Sequence, residues 1–287
     1  MILCCGEALI DMIEAQGAYT PHPGGAVYNT AIALGRLERS VGFLSGLSND
    51  VFGTLLREGL QASHVDTSHV MFSDRPTTLA FVRLVNGNAS YMFYDENTAG
   101  RSLDKSSLPA IPANISAMYF GGISLIGLPA ADGDSALAKR EASARVIMMD
   151  PNIRPLFVTE PEIYRERLNQ MIACCDILKV SDDDLHWIVS GNATLKEKAL
   201  AIRALGPKVV IVTKGSEGSV AYLSDDKSVE AAAHKVSVVD TVGAGDTFNA
   251  GVLAKLSQLG LLTKEAIGSL DADDMLAALR FGSEVAS

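Results

Sequence analysis

Short apolar runs rich in β-branched and aromatic residues alternate along this chain with segments whose apolar residues recur at helical spacing, and that alternation limits the fold most. Residues 2–5, 43–44, 118–120, 146–149, 177–180 and 209–213 predict core strands, and about 26–37, 52–61, 161–173, 182–189, 195–205 and 246–259 predict helices. Such βαβ units imply an α/β fold with a mainly parallel sheet. One region breaks the rhythm: two strand-like runs within 77–94 flank Asn86-Gly87, the strongest short-range hairpin signal. No helix is available to cover this hairpin, so it is expected to stand off the main sheet. With 287 residues, 48% of them hydrophobic and 20% charged, the chain can bury a substantial core and is expected to form one domain over 1–287.

A net charge of −10 argues against nucleic-acid and membrane-surface partners, which want basic patches. No basic segment precedes the first apolar run, and no apolar stretch approaches the ~20 residues of a membrane span, so a cytoplasmic protein is expected. The cysteines form two adjacent pairs, Cys4-Cys5 and Cys174-Cys175. Neighbours on a strand face opposite ways, so the first pair cannot readily offer both sulfurs to one metal, and reduced core packing is expected. The five histidines show no metal-ligand spacing.

The chemistry concentrates in Gly243-Ala244-Gly245-Asp246, between the valine-rich run at 236–239 and a helical pattern. A glycine turn there presents unpaired backbone N–H groups at a helix N-terminus, an anion cradle. A carboxylate in such a cradle repels the anion unless it works as a general base, although Asp246 is also a residue type that caps helices.

The stretch Asp240 to Asp246 resembles the Asp-x-x-Gly-x-Gly-Asp signature of the ribokinase-type (PfkB) carbohydrate kinases, and Gly24-Gly25-Ala26-Val27-Tyr28-Asn29 resembles that family's Gly-Gly-x-x-x-Asn motif. The wording is most similar to bacterial fructokinases. The resemblance implies a ribokinase-like three-layer α/β/α fold whose β-flap lid draws strands from about 13–21 and 77–94. It implies ATP-dependent phosphorylation of a primary hydroxyl of a free sugar, with fructose the expected acceptor. Within the class, 2-keto-3-deoxygluconate, ribose or a nucleoside are alternatives, and a non-catalytic sugar or nucleotide sensor is the rival.

Carried onto this chain, the resemblance makes Asp246 the base and the amides of Gly243, Ala244 and Gly245 the cradle for phosphoryl charge. Asp11, Gly24, Gly25, Asn29, Phe93, Asp95 and Arg154 would meet the sugar, Arg154 also reaching the transferred phosphoryl group. Asp95 stands where acid-sugar kinases of the family use an arginine, which favours a neutral sugar. Thr213, Lys214, Gly215 and Gly218, with Gly243 and Gly245, would bind the nucleotide. Ser181-Asp182-Asp183-Asp184 replaces the family's Asn-x-x-Glu, leaving Asp184 to reach Mg²⁺ through water or, equally, to start a helix. The sequence stops within the expected adenine-flanking helix, which leaves part of the adenine wall and the K⁺ site unaccounted for. An apolar flap face would favour a homodimer.

Overall fold

The computed structural model describes the chain apart from Gln16, Asn86, Gly87, Asp225 and 235–242, with backbone only at Ala15 and 82–91. The chain opens with β1 (Ile2–Cys5), then a hairpin of β2 (Leu9–Ala15) and β3 (Ala18–Gly24), then α1 (Ala26–Arg36). There follow β4 (Val41–Leu44), β5 (Gly46–Ser48), α2 (Val51–Ala62), β6 (Met71–Ser73) and a second hairpin, β7 (Leu79–Val85) and β8 (Asn88–Tyr94). Strand and helix then alternate through β9 (Ala117–Gly121), α3 (Ala130–Glu141), β10 (Val146–Asp150), α4 (Pro161–Cys174), β11 (Ile177–Ser181), α5 (Asp182–Ile188), α6 (Leu195–Arg203) and β12 (Val209–Thr213). The remaining elements are β13 (Ser219–Tyr222), β14 (Ser228–Ala231), α7 (Ala244–Gln258), α8 (Lys264–Gly268) and α9 (Ala272–Val285).

The main sheet runs β14-β13-β12-β11-β10-β9-β1-β4. Its pairs are parallel from β4 to β12 and antiparallel beyond. Near-continuous apolar strands suit a sheet covered on both faces. Alternate residues accordingly feed two cores. Ile2, Cys4, Tyr119 and Met148 join α1, α2, α7 and α9. Leu3, Cys5, Phe120 and Met149 join α3, α4, α5 and α6. The result is the three-layer α/β/α arrangement expected. No described helix is long and apolar enough to cross a membrane.

The second sheet, β3-β2-β7-β8, is the flap; β2 and β3 take up 9–15 and 18–24, and β7 and β8 take up 79–85 and 88–94. Pro21 and Pro23 lie in β3, and proline is tolerated there because β3 is the sheet edge. The outward face carries Tyr19 edge-on to Phe81 at 5.1 Å and Phe81 edge-on to Tyr94 at 5.6 Å. Helix α3, which the spacing did not predict, buries only a few small and medium apolar side chains and has Gly133 inside it.

Candidate active site

Gly243 takes the left-handed conformation (φ 77°) that lets the chain enter α7, and it caps that helix without any side-chain bond. Asp246 is therefore not the cap. Its buried carboxylate accepts from Asn29 Nδ2 at 2.9 Å, and its backbone oxygen accepts from Thr30 Oγ1 at 3.1 Å. The Gly-Gly-x-x-x-Asn helix thus orients the aspartate from 217 residues away. Among the described residues nothing bonds the N–H groups of Ala244, Gly245 and Asp246, which leaves them for an anion. Burial pushes the Asp246 carboxyl up to about 6, an effect opposed by Asn29's N–H, reinforced by Asp150 and opposed again by Lys179 and Arg154. A base that titrates near neutrality is suited to taking a hydroxyl proton.

Beneath the turn lies a buried polar network. Asp150, at the end of β10, accepts from Lys179 Nζ at 2.8 Å and Asn249 Nδ2 at 2.7 Å on one oxygen, and from the Asn152 N–H on the other at 3.1 Å. Asn249 also donates to the Tyr119 hydroxyl at 3.0 Å, while its own buried Oδ1 has no partner among the described residues. Lys179 and Asn249 escaped the sequence reading. The available signal was a lysine interrupting an apolar strand run.

In the second sheet, Asp11 projects from β2 and Gly24 ends β3 opposite Leu9. A Cβ on Gly24 would collide with Asp11 Oδ2, so the glycine gives the carboxylate its place. Partial burial raises the Asp11 pKa, with His22 opposing, and among the described residues no donor is bonded to the carboxylate. Gly25, at φ 107°, lets α1 start against the buried Glu7, whose Oε1 accepts the Ala26 N–H at 2.9 Å and whose Oε2 accepts the Ser124 N–H at 3.2 Å. Burial pushes Glu7 up to about 7. Glu7 is thus a further residue the sequence reading missed, pinning the start of α1.

Arg154 is exposed and does not pair with Asp150. It donates to Asn152 Oδ1 at 2.6 Å, around a positive φ of 42° at Asn152. Phe93 reaches from β8 to Phe157, ring centroids 4.8 Å apart, and so ties the flap to the segment that carries Arg154.

Asp95 departs from its expected role. One oxygen accepts from Thr78 and Thr98 hydroxyls at 2.8 and 3.0 Å, and the other takes Arg101 Nε at 2.7 Å. Its charge is already balanced inside the protein, so it does not supply the repulsion of acid sugars inferred from sequence.

Asp184 likewise has local work. It completes a capping box with Ser181 at the start of α5 and accepts the Ile153 N–H at 3.0 Å, fixing the strand-end loop that presents Arg154. Thr213 and Lys214 lie at the end of β12, beside Ser181 of β11. Gly215 (φ 54°) has open space where a Cβ would be, whereas Gly218 (φ 96°) gives way to the backbone of Ala231 and so serves the β13–β14 packing. Asp240, Thr241 and Val242 of the signature lie outside the described residues.

The glycine turn and Asp246 therefore lie with Lys179 against Asp150, at the carboxyl end of parallel strand β10, where open α/β sheets bind ligands. The sequence pattern of the pfkB family carbohydrate kinases matches residues 1–287. The chain belongs to that family. It is 48% identical over 279 residues to a fructokinase of Rhizobium leguminosarum bv. trifolii, an alignment covering 94% of this chain and 84% of that one. Its fold superposes with a TM-score of 0.90 on Xylella fastidiosa fructokinase with bound ATP, at 26% identity and covering 99% and 90% of the two chains. It superposes at 0.83 on Salmonella enterica aminoimidazole riboside kinase complexed with aminoimidazole riboside and an ATP analogue, at 25% identity and 100% and 91% coverage.

Proposed function

We propose that this pfkB-family chain transfers the γ-phosphoryl group of ATP to a primary hydroxyl of free fructose. The observation that carries the reading is the buried Asp246 at the start of α7, oriented by Asn29 beside the amides of Ala244, Gly245 and Asp246, to which nothing bonds among the described residues. In the transfer, an Asp246 oxygen accepts the hydroxyl proton as the hydroxyl oxygen bonds to γ-phosphorus. The bond from γ-phosphorus to the β–γ bridging oxygen breaks, and its electron pair leaves with ADP. The amides of the turn at 243–246 meet the charge that builds on the phosphoryl oxygens, and they need no reorganisation to do so. Asp11 accepts sugar hydroxyls, Arg154 swings toward the phosphoryl group, and Thr213 and Lys214 flank the nucleotide.

Among the described residues no group of three acidic, His or Cys side chains could cage a metal. Asp184 would hold a Mg²⁺ carried by the nucleotide phosphates only through water, since its oxygens already accept the Ile153 and Ser181 N–H groups. Such an ion neutralises phosphate charge when bound.

Fructose is favoured by the similarity to the Rhizobium fructokinase. The partly buried Asp11, an acceptor without a described donor, suits a neutral polyol. The outward aromatic face of the flap suits a second copy of the chain, which sedimentation would detect.

The deciding experiment is coupled ADP release across fructose, ribose, 2-keto-3-deoxygluconate and aminoimidazole riboside at fixed ATP and Mg²⁺. The highest kcat/KM is expected with fructose. Equal or greater efficiency with another acceptor overturns the sugar assignment, and no turnover with any acceptor overturns the kinase reading.

A further inference from the structure

Lys179 is out of place by every ordinary rule of strand composition. It lies in β11 among buried apolar residues with 5% of its surface exposed. A buried ion pair contributes little net stability once desolvation is counted, so the Asp150 bond does not explain the lysine by itself. Its surroundings do. A Cβ on Gly245 would lie 3.4 Å from Lys179 Nζ, which sets the ammonium against the turn that opens α7. A cation near a helix N-terminus is unfavourable unless further negative charge is present there.

Two negative charges belong at that point in the proposed reaction: the Asp246 carboxylate and the transferring phosphoryl group. Asp246 is approached by Asn29 from α1, Asp150 from β10, Lys179 from β11, Arg154 from the loop after β10, Glu7 from beyond β1 and Tyr119 from β9. The two cations in this set differ in kind. Arg154 is exposed and hinged on Asn152. Lys179 is fixed, because Asp150 holds it and Asp150 is itself held by Asn249 and the Asn152 amide.

We propose that Lys179 is a positioning residue for phosphoryl transfer: held by Asp150 against Gly245, it supplies the immobile positive charge that lets the Asp246 carboxylate and the transferring phosphoryl group sit together at the start of α7. This rests on the kinase reading above. Asp150 fixes the lysine, and neither residue is among those placed on the sugar above.

Two variants test it. Lys179→Met removes the charge but strands Asp150; Asp150→Asn with Lys179→Met leaves a neutral pair of similar volume that folds without a buried lone charge. ADP release is measured as kcat and fructose KM across pH, with thermal melts reporting the folded fraction. For the double variant, kcat on the high-pH plateau should fall about 10-fold or more while the fructose KM stays within about threefold, as expected for an electrostatic effect confined to the transition state. In Lys179→Met, loss of the positive neighbour should also move the acid limb of kcat to higher pH. The proposal is overturned if the folded double variant keeps plateau kcat within about twofold, or if KM rises as much as kcat falls. Wild-type turnover, measured alongside, tests the kinase reading separately.

Discussion

Gly24 and Asp11 compete for one volume: the carboxylate of Asp11 occupies the space a side chain on Gly24 would need. Gly24→Ala should therefore turn Asp11 away from the cleft without removing it. A lost hydrogen bond to a charged acceptor is worth ~1.5–3 kcal/mol, so the sugar KM should rise about 10-fold or more while kcat changes less. Steady-state kinetics with the preferred sugar decide this. An unchanged KM would place Asp11 outside the sugar site.

Asp246→Asn keeps the size of the side chain and an acceptor for Asn29. It should bind sugar and nucleotide normally and lose about 10²–10⁴ in kcat, the usual contribution of a positioned base. Retention of kcat within a few-fold would return Asp246 to a structural role.

Activity and stability should respond to pH in opposite senses. Asp246 must be ionised to take a proton, so kcat should rise through about pH 6 and level off above it. Glu7 is shifted from 4.5 up to about 7 by folding, so the unfolded chain loses that proton more readily than the folded one. Its contribution to stability is present in full below 4.5 and is lost as pH rises through 7. Thermal midpoints measured across that window should fall with rising pH, and Glu7→Gln should flatten the dependence. A wild-type midpoint that climbs across the window would contradict the burial argument.

The Phe93–Phe157 contact links the flap to the Arg154 segment. Phe157→Ala should raise the sugar KM and increase ATP hydrolysis in the absence of sugar transfer, because a looser lid admits water. Phosphate release measured beside sugar phosphate would show the uncoupling; identical ratios in variant and wild type would make the contact a packing detail.

Much of this was written into local patterns. The strands β1 and β12 match the apolar runs at both ends, and the first turns of α1 and α7 follow from their glycines, because period and punctuation are short-range signals. What stayed hidden depends on chain folding back on itself. Arg101, six residues beyond Asp95, neutralises it by a turn that no spacing rule reveals. Lys179 reads as a break in a strand until β10 brings Asp150 beside it. Glu7 meets α1 and the 122–124 turn only in three dimensions. Asp184 was readable either way, since a Ser-x-x-Asp run serves equally as helix start and as metal-site remnant.

The adjacent thiols of Cys4 and Cys5 lie on opposite faces of the same strand, β1, one in each core, and burial raises the pKa of both. They make a built-in pair of reporters one residue apart. A thiol reagent can reach Cys4 only when the layer containing α1 and α7 lifts, and Cys5 only when the layer of α3 to α6 does. Separate labelling rates at the two sulfurs would therefore time the opening of the catalytic layer against that of its backing, without any engineered probe.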